Sequence, residues 1–285
     1  MSNIVFEAHI GEIRMTKDTL RLIAFDMDGT VLQRDGEITE RLQNILRKAM
    51  GQGIYVVPCS GRGRMQVPPS VEELKVPYTI TSNGGLIWDE TQDQRLYADL
   101  IPWEMAADMY RDITDLGGLA CFHIDRGVYY EEADRQMLEQ RYSFSRLAVM
   151  RAVPDGEGLI RERKEGIEKI FVRTENVEIR ARIRDTVLQK YPVFCSSSSM
   201  KNLEFSMPGC TKGKALQWLC DHLQIAPSQV VAFGDGENDK EMLTFAGLGL
   251  AVSDAGDVCR AVADGVIGSC EEDGVAIWLE QLLGK

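Results

Sequence analysis

Histidine is scarce in this chain: three residues, His9, His123 and His222, none sharing a motif, which argues against a histidine-ligated transition metal. The seven cysteines (Cys59, Cys121, Cys195, Cys210, Cys220, Cys259 and Cys270) include no C-x-x-C pair, so neither a disulfide framework nor a zinc knuckle is expected, and most read as small buried hydrophobes. No apolar run approaches the roughly 18 consecutive residues of a membrane span, and the segment holding Glu7, His9 and Glu12 lacks the apolar core of a signal peptide. A cytoplasmic location is expected. Positive charge is short as well: 32 Lys and Arg face 44 Asp and Glu, a net charge of −12. Such a balance argues against nucleic acid or an anionic membrane as partner, because both select basic surfaces. There are no internal repeats, and the one low-complexity patch is Ser196 to Ser199.

What remains is a chain of 285 residues, 44% hydrophobic, enough for one large core or two modest ones. It is organised around the stretch Leu22 to Leu32, where four apolar residues run into Asp26 and Asp28 and then Gly29-Thr30. This reads as a buried strand ending in a polar turn. Side chains alternate along a strand, so the two acids converge only if the chain coils after Asp26, which Gly29 permits. A carboxylate at a strand mouth is well placed as a nucleophile, and a second one two residues on can handle the leaving group's proton.

A helix capped by Thr39, with Leu42, Ile45, Leu46, Ala49 and Met50 on one face, leads to a second buried strand, Ile54 to Cys59, and the turn Ser60-Gly61-Arg62-Gly63. Strand, helix and strand make a right-handed βαβ unit with both turns at the carboxyl edge. A third strand, Tyr78 to Ser82, runs into the breaker cluster Asn83-Gly84-Gly85, a candidate hinge. From Leu86 to about Met207 the pattern changes to short strand pairs (86–88 with 95–100, 120–124 with 128–131, 193–196 with 202–206), a strand over 169–173, and helices over 103–116, 133–147 and 177–190. That describes an α+β module. The βαβ rhythm resumes at Thr211. The expected fold is therefore a parallel-sheet α/β core, 1–85 and 208–285, with an α+β domain, 86–207, inserted into it.

A second acidic cluster, Gly234-Asp235-Gly236-Glu237-Asn238-Asp239, ends the apolar strand Val230 to Phe233. Asp-Gly turns taken singly usually cap helices and face solvent. Two such clusters, each ending a buried strand, point instead to a shared cation, because two unit charges 4 Å apart repel by about 4 kcal/mol at an effective dielectric near 20. Hard oxygen ligands suit Mg²⁺. Lys212 stands at a helix N-terminus, where the dipole disfavours a cation by roughly 0.3 to 1 kcal/mol, a placement that hints at use. Its ammonium can neutralise the nucleophile and an attacked phosphate, while the Ser60 hydroxyl and Gly61 amide hold another phosphate oxygen. Lys214 is the rival and reads as a surface lysine; Arg62 and Arg64 read as exposed loop residues.

The set Asp26-x-Asp28-Gly29-Thr30, Ser60-Gly61-Arg62, Lys212-Gly213 and Gly234-Asp235-Gly236-Glu237-Asn238-Asp239 resembles, in order and spacing, the four motifs of the haloacid dehalogenase superfamily. The Ser-Asn-Gly-Gly junction and the inserted module resemble its Cof-type phosphatases of subfamily IIB. The resemblance implies an aspartyl-phosphate on Asp26, with Asp28 as general acid and then base. It implies phosphoryl binding by Ser60 and Lys212, with Asn238 orienting Lys212 or the phosphate. Mg²⁺ would be held by Asp26, the Asp28 carbonyl and Asp235, with Asp239 in support. The substrate would be a small phosphorylated metabolite, such as a sugar phosphate, and the protein a monomer or weak homodimer. A phosphomutase and a non-catalytic phosphate sensor on the same fold are the alternatives. Substrate choice is expected in the inserted domain, where His123, Tyr129, Tyr130, Arg146 and Lys169 are candidates; Asn83, at the hinge, is a further candidate for phosphate or substrate binding.

Overall fold

A computed structural model of the chain describes residues 15–124, 127–140, 149–197 and 200–284. In chain order the elements are β1 (Leu22–Phe25), α1 (Glu40–Gly51), β2 (Tyr55–Pro58), α2 (Pro69–Glu72), β3 (Tyr78–Thr81), β4 (Leu86–Asp89) and β5 (Gln94–Ala98). Next come α3 (Trp103–Asp115), β6 (Leu119–Ile124), β7 (Gly127–Glu131), α4 (Arg135–Glu139), β8 (Met150–Val153), α5 (Gly156–Arg163), β9 (Lys169–Arg173), α6 (Val177–Lys190), β10 (Phe194–Ser196) and β11 (Asn202–Ser206). The chain closes with α7 (Lys212–Leu223), β12 (Val230–Gly234), α8 (Lys240–Phe245), β13 (Leu248–Val252), α9 (Asp257–Val262), β14 (Gly265–Ile267) and α10 (Gly274–Leu283). No helix among the described residues is long and apolar enough to cross a membrane.

The chain divides into two compact units, 1–60 with 68–96 and 211–285, and 61–67 with 97–210. The first holds a five-stranded sheet in the order β14-β13-β12-β1-β2, every described pair parallel. The central strand β1 sets Leu22, Ile23, Ala24 and Phe25 against Val230 to Phe233 on one side and Tyr55 to Pro58 on the other. All four β1 residues are fully buried, as expected of a strand covered on both faces. Because the strands are parallel, their carboxyl ends share one edge, where ligands bind in open α/β sheets.

The crossover helix forms as its sequence predicts. The Thr39 side chain caps α1 by accepting from the Leu42 N–H at 3.1 Å, a contact worth about 1 kcal/mol, and Leu42, Ile45, Leu46 and Ala49 are its buried face. Arg41 on its outer face donates to both Glu280 carboxylate oxygens in α10, at 2.9 and 2.7 Å.

The hairpin after the Asn-Gly-Gly cluster belongs to this unit. Strand β4 pairs antiparallel with β3, Tyr78 opposite Asp89 and Thr81 opposite Leu86, and β5 completes the small sheet. The chain therefore leaves the first unit after Leu96 rather than at Gly85, and the short segment 61–67 groups with the second unit.

In the second unit the sheet order is β10-β11-β9-β6-β7-β8. Strands β10, β11, β9, β6 and β7 pair antiparallel, whereas β7 and β8 run parallel. One face carries Phe122, Tyr129, Ile170, Val172, Leu203 and Phe205 in a core with Tyr110 and Ile113 of α3 and Ile183 and Val187 of α6. Tyr110 meets Phe122 edge-on at 5.4 Å.

Three elements have no counterpart in the sequence reading: α2, β8 and α5. Gly156 and Gly158 disfavour a helix at its very start, and Asp155 offsets them by capping α5 through the Gly158 N–H at 2.8 Å. Of the helix expected over 133–147 the described residues show only the five of α4; residues 141–148, Arg146 among them, lie outside the described residues, as do 1–14, 125–126, 198–199 and 285. Six of the seven cysteines are buried and Cys195 is half-buried, all of them free thiols.

Candidate active site

The site is built at the carboxyl edge of the five-stranded sheet. After Phe25 the Asp26 N–H still donates to the Phe233 carbonyl at 3.0 Å, so Asp26 extends the β1–β12 ladder by one position. The chain then coils tightly. The amides of Thr30, Val31 and Leu32 all turn back to the Met27 carbonyl, at 3.4, 3.1 and 3.0 Å, and Gly29 takes the left-handed φ of +84° that this coil needs. Asp26 is buried within the sheet edge, while Asp28 stands exposed on the coil.

Strand β12, one position over, ends in Asp235, Asn238 and Asp239. Asp235 Oδ1 accepts from the Thr30 hydroxyl at 3.2 Å, which joins the two acidic clusters. Gly29 lies so close that a Cβ there would overlap the Asp235 carboxylate. Asp239 is fully buried: Oδ2 accepts from the Asp235 and Gly236 amides at 3.0 and 2.9 Å, and Oδ1 accepts from Lys212 Nζ at 2.6 Å.

Lys212 is the first residue of α7, capped by Thr211, whose hydroxyl accepts from the Lys214 N–H at 3.2 Å and donates to Glu241 at 2.5 Å. The Lys212 side chain is fully buried and its ammonium bonds Asp26 Oδ1 as well as Asp239 Oδ1. Lys214, the other lysine of this turn, faces solvent.

Burial works against a charged Lys212, but Asp239 and Asp26 outweigh it, so its pKa is raised and the ammonium stays charged. Asp26 is pushed well above the usual carboxylate range by burial, then by Asp239 and Asp235, against the opposing pull of Lys212. Asp235 is raised by burial and by Asp239, with Thr30 acting the other way. Carboxyl oxygens of Asp26, Asp235 and Asp239 lie within 4.8 Å of one another, three buried or half-buried carboxylates of which the Lys212 ammonium bonds two. The excess negative charge and the all-oxygen donor set fit a hard divalent cation such as Mg²⁺. Asp239, with both oxygens already engaged, fits the supporting role better than that of a direct ligand.

Ser60 follows β2, the strand on the other side of β1, and is buried; its N–H donates to the Ile80 carbonyl at 2.9 Å and its carbonyl accepts from the Asn83 N–H at 2.9 Å. Asn83 Oδ1 in turn accepts from Asn238 Nδ2 at 3.0 Å. The first unit thus brings together Asp26, Asp235, Asp239 and Lys212, and links Ser60, Asn83 and Asn238 by hydrogen bonds.

Gly61 belongs to the second unit, where its carbonyl accepts from Lys169 Nζ at 2.7 Å. Lys169 also pairs with Glu204 at 2.9 Å. Arg62 donates to the Gln66 carbonyl at 3.0 Å. His123 is buried behind Gly63 with no partner for Nδ1 among the described residues, and burial, then the Lys169 charge, holds its pKa well below the ordinary imidazole value. Tyr129 is buried and takes Arg151 and Arg163 on its hydroxyl, at 3.3 and 3.4 Å. Thr30 and Glu241 receive no role from the sequence alone; the only signal was Thr30's place directly after Gly29.

The chain is similar to several known proteins. The chain is 31% identical to an HMP-PP phosphatase of Yersinia enterocolitica over 93% of its own length and 96% of that protein's. It is 27% identical to Phosphatase YwpJ of Bacillus subtilis, across 93% of this chain and all of that one. The solved structure of the subclass IIB sugar phosphatase BT4131 superposes with a TM-score of 0.76 at 20% identity, covering 92% of this chain and 98% of that one, and so shares its fold. The profile of haloacid dehalogenase-like hydrolases matches residues 23–279, almost the whole described chain, and the protein belongs to that family of hydrolases.

Proposed function

We propose that the chain is a Mg²⁺-dependent phosphatase that hydrolyses small phosphomonoesters, sugar phosphates among them, through an aspartyl-phosphate on Asp26. The observation that carries this reading is the buried contact of Asp26 with Lys212, itself tied to Asp239, at the mouth of the central strand. The phosphatase relatives support the reaction class.

Asp26 attacks phosphorus in line, the P–O bond to the alcohol breaks, and Asp28, exposed on the coil, gives the leaving oxygen its proton. Asp28 then takes a proton from water, whose oxygen attacks the acyl phosphate and releases inorganic phosphate with Asp26 restored. The Lys212 ammonium and the Ser60 hydroxyl bind the phosphoryl oxygens, and the Gly61 amide adds a donor. Lys212 thus serves both partners of the attack by offsetting their mutual repulsion. Asp26, the Asp28 carbonyl and Asp235 would hold Mg²⁺, with Asp239 anchoring the Asp235 loop from behind. When bound, the ion neutralises charge on the phosphoryl group. Selectivity for the alcohol portion falls to the second unit, 97–210.

The test is phosphate release from p-nitrophenyl phosphate and a panel of sugar phosphates, with and without Mg²⁺, by wild type and Asp26→Asn. Release that needs both Mg²⁺ and Asp26 is expected. No release from any ester, or unimpaired turnover by Asp26→Asn, refutes the reading.

A further inference from the structure

A single turn, Ser82-Asn83-Gly84, touches three of the four motif segments. Its φ angles, +53°, +57° and +95°, are all in the left-handed region, which serine in particular seldom enters. Asn83 and Gly84 each have a specific neighbour. The Asn83 N–H donates to the Ser60 carbonyl at 2.9 Å, which fixes the end of the β2 segment. Gly84 abuts the Thr211 carbonyl so closely that a Cβ would overlap it, which fixes the chain one residue before Lys212. Asn83 Oδ1 accepts from Asn238 Nδ2 at 3.0 Å, and Asn238 Oδ1 lies against Gly236, where a Cβ would stand 2.6 Å away.

We propose that Asn83 is a positioning residue of the phosphatase reaction: it holds the Asn238 amide in one orientation and in register with Ser60, and it does not itself bind the phosphate. The inference rests on the phosphatase reading above. It departs from the role expected from sequence, in which Asn83 binds phosphate or substrate directly. Its amide oxygen accepts from Asn238 and its backbone N–H donates to Ser60, so both ends tie the residue to the two segments it links. A hydrogen bond between side chains 155 positions apart in sequence is there for placement, and placement errors near 1 Å are enough to slow chemistry by orders of magnitude.

The variant Asn83→Gly isolates the side chain. Glycine adopts the left-handed backbone freely and keeps the N–H bonded to Ser60, so only the amide is lost. With p-nitrophenyl phosphate, kcat is expected to fall about tenfold and KM to move by less than about twofold, the split produced by losing transition-state placement rather than ground-state binding. The melting temperature should stay within about 2 °C of wild type, since no cavity or strain is introduced. Adding Asn83→Gly to Asn238→Ala should cost less than about a further twofold, because the two act as one unit. Wild-type kcat in Asn83→Gly, multiplicative losses in the double variant, or a fall in melting temperature parallel to kcat each overturn the proposal. A loss confined to KM does so too, by assigning Asn83 to substrate contact. Wild-type protein assayed alongside keeps the two readings apart. An inert wild type refutes the phosphatase reading and this one with it, whereas an active wild type beside an unimpaired variant refutes the positioning role alone.

Discussion

Lys212 and Asp239 form a wholly enclosed ion pair, Nζ 2.6 Å from Oδ1, with both side chains at 0% exposure. The same ammonium bonds Asp26, so one cation holds together the end of the central strand, the start of α7 and the loop after β12.

Replacing Lys212 with Met leaves two buried carboxylates facing each other without their shared cation. A loss of about 3 to 5 kcal/mol is expected, the usual scale for breaking a buried pair from one side. Urea unfolding measures it. Adding Asp26→Asn should recover part of that stability and none of the phosphatase activity. Full stability in the single variant contradicts the pairing.

Gly29→Ala introduces two faults at once: φ is +84°, and the new Cβ overlaps the Asp235 carboxylate. Stability should fall by more than about 1 kcal/mol. The Mg²⁺ concentration for half-maximal activity should rise, because Asp235 is displaced. A magnesium titration unchanged from wild type would show that Asp235 does not hold the ion.

Stability should also depend on pH through His123. Its pKa in the folded state is depressed, by burial and then by Lys169, below the value near 6.5 of the unfolded chain. Above that value neither state is protonated and the contribution is complete. As pH falls below it, the unfolded chain takes up a proton that the folded one refuses, and stability drops by up to about 1.4 kcal/mol per pH unit until the folded pKa is reached. Denaturant midpoints from pH 7.5 to 5 should show this slope in wild type and a shallower one in His123→Leu.

Lys169→Met tests the same corner of the second unit differently. The variant strands Glu204 and the Gly61 carbonyl without their donor, and a cost of about 2 kcal/mol is expected at this partly enclosed pair. It also removes one of the two causes that depress His123, so the acid-side slope should flatten while stability at pH 7.5 is already lower. A steeper slope would contradict that assignment.

Much of the first unit was legible because each feature rests on local chemistry. The apolar run ending in Asp26, the Thr39 cap and the Lys212 placement each follow from a few neighbouring residues. The hairpin β4–β5 was assigned to the wrong side of the boundary because the Asn-Gly-Gly cluster signals a turn and says nothing of which sheet the next strand joins. The link between Asn83 and Asn238 depends on tertiary register alone. The left-handed Ser82 defies its own residue preference, and α5 begins with two glycines that argue against a helix. In the second unit the buried polar residues His123 and Lys169 looked like surface or ligand candidates, since nothing local reveals that Gly61 and Gly63 pack onto them.

The interruption of the parallel sheet has a consequence for synthesis. Asp26 emerges from the ribosome before its strand partner β12 and its counter-charges Lys212 and Asp239, which come about 200 residues later, roughly 10 to 40 s at 5–20 residues per second. Throughout that interval β1 has an unpaired edge and the nascent chain carries an unneutralised acid at its end. The second unit, contiguous from Tyr97 to Cys210 apart from one short segment made before it, is complete before then. Hydrolytic competence therefore waits for the segments that follow the second unit in the chain.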